Sequence, residues 1–223
     1  MTKIRIDDYP FCIPGRDPVH TERCLREMFD VLKDCGVDYY FGAIPYHLDA
    51  HWLDVADSCM GANGHLVMHG FTHLHDRWGQ GLVDSLVATG GEFSGMTKSD
   101  CLTQYDAAHE TLSLSERYDA AHFIAPFNNY TQEIVDALRE RGVKYLHTCD
   151  KEFNQYGYAG MEYGAVVPVI AHNQKDYNFA KRALVSIQKT PSPWVTLHWY
   201  YEFRHFGDGW LTDLRNLIKE CRK

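Results

Sequence analysis

Short β-rich segments alternate with longer amphipathic segments along nearly the whole chain, and this alternation is the feature that most limits its possible folds. Runs rich in β-branched and aromatic residues predict strands, and runs with apolar residues every three or four positions predict helices. The predicted strands are 3–6, 38–45, 65–69, 121–126, 144–148, 165–171 and 194–199, and the predicted helices are 19–36, 48–59, 98–118, 131–142, 175–189 and 211–223. Strands separated by helices favour right-handed crossovers and a mostly parallel sheet, so we expect an α/β barrel.

The length and composition are those of one folded domain. The chain has 223 residues, of which 45% are hydrophobic, and it contains no internal repeat, low-complexity segment or linker. A core of that size is sufficient for a single α/β barrel. We therefore expect one domain over residues 1–223.

Charge, cysteine content and hydropathy limit the partners and the compartment. The formal net charge of −8 argues against nucleic acid as the main partner. The seven cysteines are scattered and odd in number, which favours reduced thiols over a disulfide framework. The segment MTKIRIDDYP has no apolar signal-peptide core, and no run of about 18 apolar residues predicts a membrane span. We expect a cytoplasmic protein without membrane insertion. The sequence does not indicate its oligomeric state.

Side chains capable of acid–base chemistry or metal binding lie where several predicted strands end. Asp7 and Asp8 end the first strand, His69 ends the third and His198 ends the last, while His73 follows in a loop. The carboxyl ends of barrel strands surround one pocket, so these groups are expected to meet there. His69 and His73 have the spacing of a helical metal-binding pair, but the segment between them is predicted to be a loop.

Two imidazoles and one carboxylate form a ligand set that leaves metal positions open for water and substrate. Adjacent residues of a strand point to opposite faces, so Asp7 and Asp8 are expected to differ in role: one binds metal and the other handles protons.

Non-haem Fe(II) oxygenases use the same set of ligands, two imidazoles and one carboxylate. They usually have antiparallel β-sandwich barrels, however, and the helices between these strands favour a parallel barrel instead.

Five segments resemble, in chain order, the polysaccharide deacetylase superfamily, also called the NodB-homology or carbohydrate esterase 4 group. These segments are RIDDYP, HGFTH, GGEFSGM, FIAPFNNYT and VTLHW, and they are most similar to a divergent deacetylase-like branch. The resemblance implies an irregular (β/α)7 barrel, which agrees with the strand count. It also implies one divalent metal ion, with Zn²⁺ expected first and Co²⁺, Mn²⁺, Ni²⁺ or Fe²⁺ as alternatives.

The resemblance implies a role for each polar residue at the strand ends. Asp7 is expected to be the general base, and His198 the general acid. Asp8, His69 and His73 are expected to hold the metal ion.

Three further residues are expected near the substrate. The backbone N–H of Phe127, which follows a proline, is expected to help hold the oxyanion. Glu92 is expected either to contact the substrate or to order its loop. Trp199 is a candidate for stacking on a sugar ring, or for the core.

The sequence also departs from the family pattern. The arginine that orients the catalytic aspartate in the family is replaced here by Ile124, so the group that orients Asp7 is not identified. The usual Asp-Trp motif is also not identifiable. Asp150 and Glu202 are candidates for orienting His198.

The function implied is that of a metal-dependent hydrolase that removes an N-acyl group, with acetyl expected first, from an amino sugar or glycan precursor. The expected partner is a small-molecule or oligosaccharide substrate, and neither nucleic acid nor membrane is expected. Hydrolysis of a non-sugar amide and non-catalytic sugar binding remain alternatives, because a fold does not determine a substrate.

Overall fold

The computed structural model describes residues 3–10, 17–33, 35–73, 91–148, 162–163, 194–199 and 207–221. The predicted strand 165–171 and the predicted helix 175–189 lie outside these ranges. Asp150 and Glu202, the candidates for orienting His198, lie outside them as well.

Seven strands form one sheet in which every neighbouring pair is parallel. The strands are β1 (Lys3–Tyr9), β2 (Tyr39–Ala43), β3 (Gly64–His69), β4 (Tyr118–Ile124), β5 (Tyr145–Thr148), β6 (Glu162–Tyr163) and β7 (Trp194–His198). Their order across the sheet is β6-β5-β4-β3-β2-β1-β7. Within the described residues, β6 pairs with β5 and β7 pairs with β1. The predicted parallel (β/α)7 architecture is confirmed.

Five α-helices lie within the described ranges. They are α1 (Pro18–Leu32), α2 (Ala50–Cys59), α3 (Lys98–Leu112), α4 (Gln132–Glu140) and α5 (Trp210–Cys221). Each of the first four begins after a side-chain cap, namely Asp17, Asp49, Thr97 and Thr131, which accepts from the backbone N–H three residues on. None of these helices has both the length and the apolar character needed to cross a membrane.

The helix predicted over 98–118 is shorter than expected. It ends at Leu112, and β4 already begins at Tyr118. A turn separates the two elements, in which the hydroxyl of Ser115 accepts from the N–H of Arg117 at 3.1 Å. Serine forms such local hydrogen bonds readily, and they compete with continuation of a helix.

Alternation along the strands gives the sheet two different faces. The outer face carries large apolar side chains, among them Ile4, Ile6 and Phe41, which pack with the helices in the main core. The inner face carries a small apolar cluster and many buried polar groups. The apolar cluster is Tyr40, Val67 and Ile124, and the polar side chains include Arg5, Asp7, His69, His122, His147 and Thr196. The barrel interior is therefore unusually polar.

A neutral histidine pair lies in this interior. His122 and His147, on the neighbouring strands β4 and β5, share a hydrogen bond of 2.7 Å between ring nitrogens. Their rings lie 4.8 and 5.7 Å from the ring of Tyr40. Burial lowers the pKa of His122 to about 4, although the charge of Asp119 acts to raise it. Burial, followed by the charge of Arg5, lowers the pKa of His147 well below its usual range.

The histidine pair is expected to make the fold sensitive to acid. As pH falls from about 6.5 towards 4, the unfolded histidines take up protons that the folded pair excludes, so the free energy of unfolding decreases. Each histidine contributes a slope of up to about 1.4 kcal/mol per pH unit in this window. Urea unfolding of metal-free protein at pH 7 and pH 5 measures the decrease. It should be smaller for His122→Gln/His147→Gln, and an equal decrease in both proteins contradicts the assignment.

Candidate metal centre and active site

Three side chains converge at the carboxyl ends of β1 and β3. Nε2 of His69 and Nε2 of His73 lie 3.2 and 3.0 Å from the same oxygen of Asp8, Oδ1. All three side chains are buried, and one ligand atom from each lies within 4.8 Å of the other two. The structure thus brings the three sequence-predicted ligands together.

This donor set fits a divalent cation. Nδ1 of His69 lies 3.2 Å from the carbonyl oxygen of Ile124, which leaves Nε2 available as the metal donor. Burial acts to raise the pKa of Asp8, but the charge of His73 and hydrogen bonds from both histidines hold it well below its usual range. An ionised carboxylate with two imidazoles suits Zn²⁺ and related transition metals.

A bulge in β1 brings both adjacent carboxylates to the same rim of the barrel. The pairing register of β1 with β2 shifts between Ile6 and Tyr9, and Asp8 has a φ of +71°. On a regular strand, Asp7 and Asp8 point to opposite faces. Here Nε2 of His198 lies 4.0 Å from Asp7 Oδ2 and 3.8 Å from Asp8 Oδ2. The expectation of opposite faces is therefore corrected: the bulge cancels the alternation at this point.

Asp7 is held by an arginine that the sequence analysis missed. Nε of Arg5 donates to Asp7 Oδ1 at 2.8 Å, and Nη2 donates to Oδ2 at 2.6 Å. Burial acts to raise the pKa of Asp7, but the charges of Arg5 and then His69 lower it below its usual value. A signal was present in the sequence, because a residue two positions before Asp7 on a strand shares its face.

His198 occupies the open side of the site. β7 pairs with β1 so that His198 lies beside Asp7. The side chain is 37% exposed, while the two carboxylates next to it are buried. Its ring can therefore reach both solvent and the two acidic groups.

Backbone strain is concentrated in the same place. Within the described ranges, the non-glycine residues with positive φ are Asp8 (71°), His73 (55°) and Phe127 (55°). The left-handed conformation costs a residue with a side chain roughly 1–2 kcal/mol, and such strain clusters at functional sites. The ring of Phe127 lies 4.4 Å from that of His73 and is 38% exposed. Phe127 thus lies beside the candidate ligand His73 and is partly exposed to solvent.

Glu92 orders the loop that carries His73. Its Oε1 accepts from the N–H groups of Phe71 and Thr72, both at 2.7 Å, and Oε2 accepts from the N–H of His73 at 3.2 Å. Gly70 precedes this loop with a φ of +65°, and a Cβ there would overlap both the Glu92 carboxylate and the Pro126 ring. These contacts favour the loop-ordering role of Glu92 over a substrate contact.

Replacing Gly70 by alanine is expected to destabilise the protein and to release the metal, because the new methyl group would overlap the Glu92 carboxylate and the Pro126 ring and so disturb the loop. Gly142→Ala is the matched control: Gly142 has a φ of +75°, but its Cβ would meet no atom within 4 Å. The free energy of unfolding of the control should fall only by the cost of a left-handed alanine, about 1–2 kcal/mol. Thermal melts and metal content of both variants measure the difference. If both variants lost the same stability and Gly70→Ala still bound metal, the contacts at Gly70 would not be needed to order the loop that carries His73.

Trp199 does not present its ring to a substrate. Its side chain is 0% exposed, and its Nε1 donates to the carbonyl oxygen of Asp8 at 3.1 Å. The expected sugar-stacking role is corrected, since the ring lies in the core. Trp199 instead holds the backbone of a proposed metal ligand.

Comparison with known proteins relates this chain through structure alone. No protein-family model matches it, and no curated protein sequence is significantly similar to it. A chitin deacetylase from Colletotrichum lindemuthianum superimposes with a TM-score of 0.63 at 12% identity, covering 99% of this chain and 80% of that chain. A family 4 carbohydrate esterase from Streptomyces lividans in complex with acetate gives 0.62 at 8% identity, covering 99% and 87%.

The structurally similar proteins also include a pseudoenzyme. A carbohydrate esterase family 4 pseudoenzyme from Bacillus anthracis gives a TM-score of 0.57 at 11% identity, covering 100% of this chain and 60% of that chain. At these identities the comparisons establish the fold: this chain has the fold of the family 4 carbohydrate esterases. They do not by themselves assign an activity.

Proposed function

We propose that this protein is a metal-dependent hydrolase that removes an N-acyl group, acetyl in the first instance, from an amino sugar or glycan precursor. The observation that carries the proposal is one rim with three metal-binding side chains, a separate buried carboxylate and a partly exposed histidine. The same fold in family 4 carbohydrate esterases and in a chitin deacetylase supports it.

Asp8, His69 and His73 would hold the metal ion, with zinc as the first candidate. A divalent ion in such a site polarises a carbonyl oxygen and makes water a nucleophile at neutral pH. The hydrogen bond between His69 and Ile124 fixes one imidazole for this task, and the Glu92 contacts fix the loop that carries the other.

Asp7 would act as the general base. Its pKa lies below the usual value, so it is ionised at neutral pH and able to take a proton from the attacking water. The His198 ring lies within 4.0 Å of both Asp7 and Asp8, which supports a base next to the proposed metal ligands.

Two groups on the open side would complete the reaction. The backbone N–H of Phe127 is proposed to donate to the oxyanion that forms at the acyl carbon. His198 is proposed to protonate the departing amine, since its partly exposed ring can reach a leaving group bound above the carboxylates.

The substrate would bind against exposed aromatic rings beside the metal loop. Tyr46 is 71% exposed, and its N–H donates to the carbonyl of Phe71 at 3.0 Å. Phe127 is also exposed, and its ring lies 4.4 Å from that of His73. Exposed aromatic residues that contact the loop carrying His73 would suit the apolar face of a sugar ring.

A non-catalytic sugar-binding role is the second candidate, because one structure with this fold is a pseudoenzyme. Acetate release from N-acetylated amino sugars, nucleotide sugars and chitin oligomers, measured with added Zn²⁺, Co²⁺ or Mn²⁺, separates the two. Turnover that disappears with chelation supports the hydrolase. Saturable sugar binding without acetate release supports the second candidate, and hydrolysis of non-sugar amides alone would shift the substrate class.

His198→Ala is expected to impair hydrolysis of an N-acetyl sugar far more than hydrolysis of an activated aryl ester, because only the amine leaving group needs a proton. Metal content and melting temperature should be unchanged, since the ring is 37% exposed and is not proposed as a ligand. Steady-state rates on both substrates and a thermal melt measure these effects. Equal losses on both substrates would argue for a positioning role instead.

A further inference from the structure

A buried, doubly hydrogen-bonded ion pair supports the proposed base from below the rim. Arg5 and Asp7 lie two residues apart on the inner face of β1, and their side chains are 3% and 2% exposed. The guanidinium group donates to both carboxylate oxygens, at 2.8 and 2.6 Å. Two parallel N–H···O bonds of this kind fix the plane of a carboxylate as well as its charge.

Stability alone does not explain this pair. Taking two charges out of water costs several kcal/mol per ion, and replacing such pairs by packed apolar side chains is often neutral or stabilising. The strand ladder already holds β1 between β2 and β7 without side-chain help. The pair is therefore better explained by the fixed orientation that it gives to the Asp7 carboxylate than by a gain in stability.

That effect matters because of what lies next to Asp7. The bulge at Asp8 places both carboxylates on one rim, and Nε2 of His198 lies within 4.0 Å of an oxygen of each. A second carboxylate beside a divalent cation tends to become a ligand, since oxygen anions bind such ions strongly. A carboxylate that ligates the metal is no longer available as a base.

We infer that Arg5 is a positioning residue that keeps Asp7 off the metal, and so divides two adjacent carboxylates between metal binding and proton transfer. The inference rests on the proposed function for its catalytic consequence, but it also predicts metal coordination independently of turnover. Ile124 occupies the position of the arginine that orients the catalytic aspartate in the family that this sequence resembles. It lies in the apolar cluster with Tyr40 and Val67. Arg5 reaches Asp7 from a different strand, β1.

The test compares Arg5→Met with Lys3→Met in the full-length, zinc-loaded protein. Lys3 is also a cation on the inner face of β1, two residues earlier, and lies 5.4 Å from the ring of Tyr40. X-ray absorption at the zinc edge reports the ligands, and competition with a chelator reports the affinity. Arg5→Met should add one oxygen ligand and bind zinc more tightly, and its turnover should fall ~10²-fold or more. Lys3→Met should match the wild type in all three readouts.

A double variant, Arg5→Met/Asp7→Ala, should return the zinc coordination to that of the wild type, which identifies Asp7 as the added ligand. If Arg5→Met does not fold, Arg5→Lys replaces it, since lysine keeps the charge but cannot form both hydrogen bonds. Unchanged zinc coordination in a folded Arg5 variant overturns the inference, whatever its turnover. An added ligand in Arg5→Met, together with a wild-type protein that releases no acetate, supports the inference and contradicts the proposed function.

Discussion

His73→Ala is expected to lose bound metal and, with it, essentially all amide hydrolysis. His73 contributes one of three proposed donors, and its Nε2 lies 3.0 Å from Asp8 Oδ1. Removing one of three protein ligands leaves a site that binds the ion weakly, and mutation of mere supporting groups already costs 10–100-fold in affinity. Elemental analysis after dialysis should give about one metal ion per chain for the wild type and almost none for the variant.

The control for this experiment is His51→Ala. His51 is exposed and pairs with Glu22, and it is not among the proposed ligands, so removing it deletes the same chemical group without touching the ligand set. This variant should keep both metal and turnover. Metal content that is equal in His73→Ala and wild type would exclude the proposed ligand set.

Asp7→Asn is expected to keep the metal but to lose turnover by ~10²–10⁴, the usual range for removing a general base. The asparagine fills the same space against Arg5, but it cannot accept a proton from water at neutral pH. Asp8→Asn is the variant to compare with it. Because Asp8 Oδ1 lies near both imidazoles, this variant is expected to lose bound metal before it loses anything else. Metal content and rates at saturating metal separate the two effects.

The division between the carboxylates fails if both variants lose metal to the same degree. Asp7 would then be a ligand as well, and the ion pair with Arg5 would have another purpose. Unchanged turnover in Asp7→Asn at full metal occupancy would remove Asp7 from the reaction. Restored turnover in Asp8→Asn at high metal concentration would agree with a purely ligating role.

The sequence was sufficient to predict the general position of the site. Alternating strand and helix signals implied a parallel barrel, and the carboxyl ends of such strands lie on one rim. That rule brought Asp8, His69 and His198 together correctly, although they are far apart in the chain. The reason is that β3 and β7 each lie within two strands of β1 in the sheet.

The errors came from features that depend on local geometry. The alternation rule failed at Asp8 because a bulge with positive φ turns that residue. For Trp199 both sugar stacking and the core were left open, because burial of a single aromatic residue after a strand is not visible in the sequence; the structure shows it buried. Arg5 was not predicted because it precedes the strand end, although regular alternation puts it on the same face as Asp7, two residues later.

Titration of metal-free protein with Zn²⁺, followed by acetate release from an N-acetyl amino sugar at each step, tests the central claim most directly. Asp8, His69 and His73 are grouped so that they could hold one ion, so activity should rise linearly and reach a plateau at about one equivalent, and His73→Ala should show no such rise. Acetate release that is independent of added metal, or a protein that binds no metal, would contradict the claim.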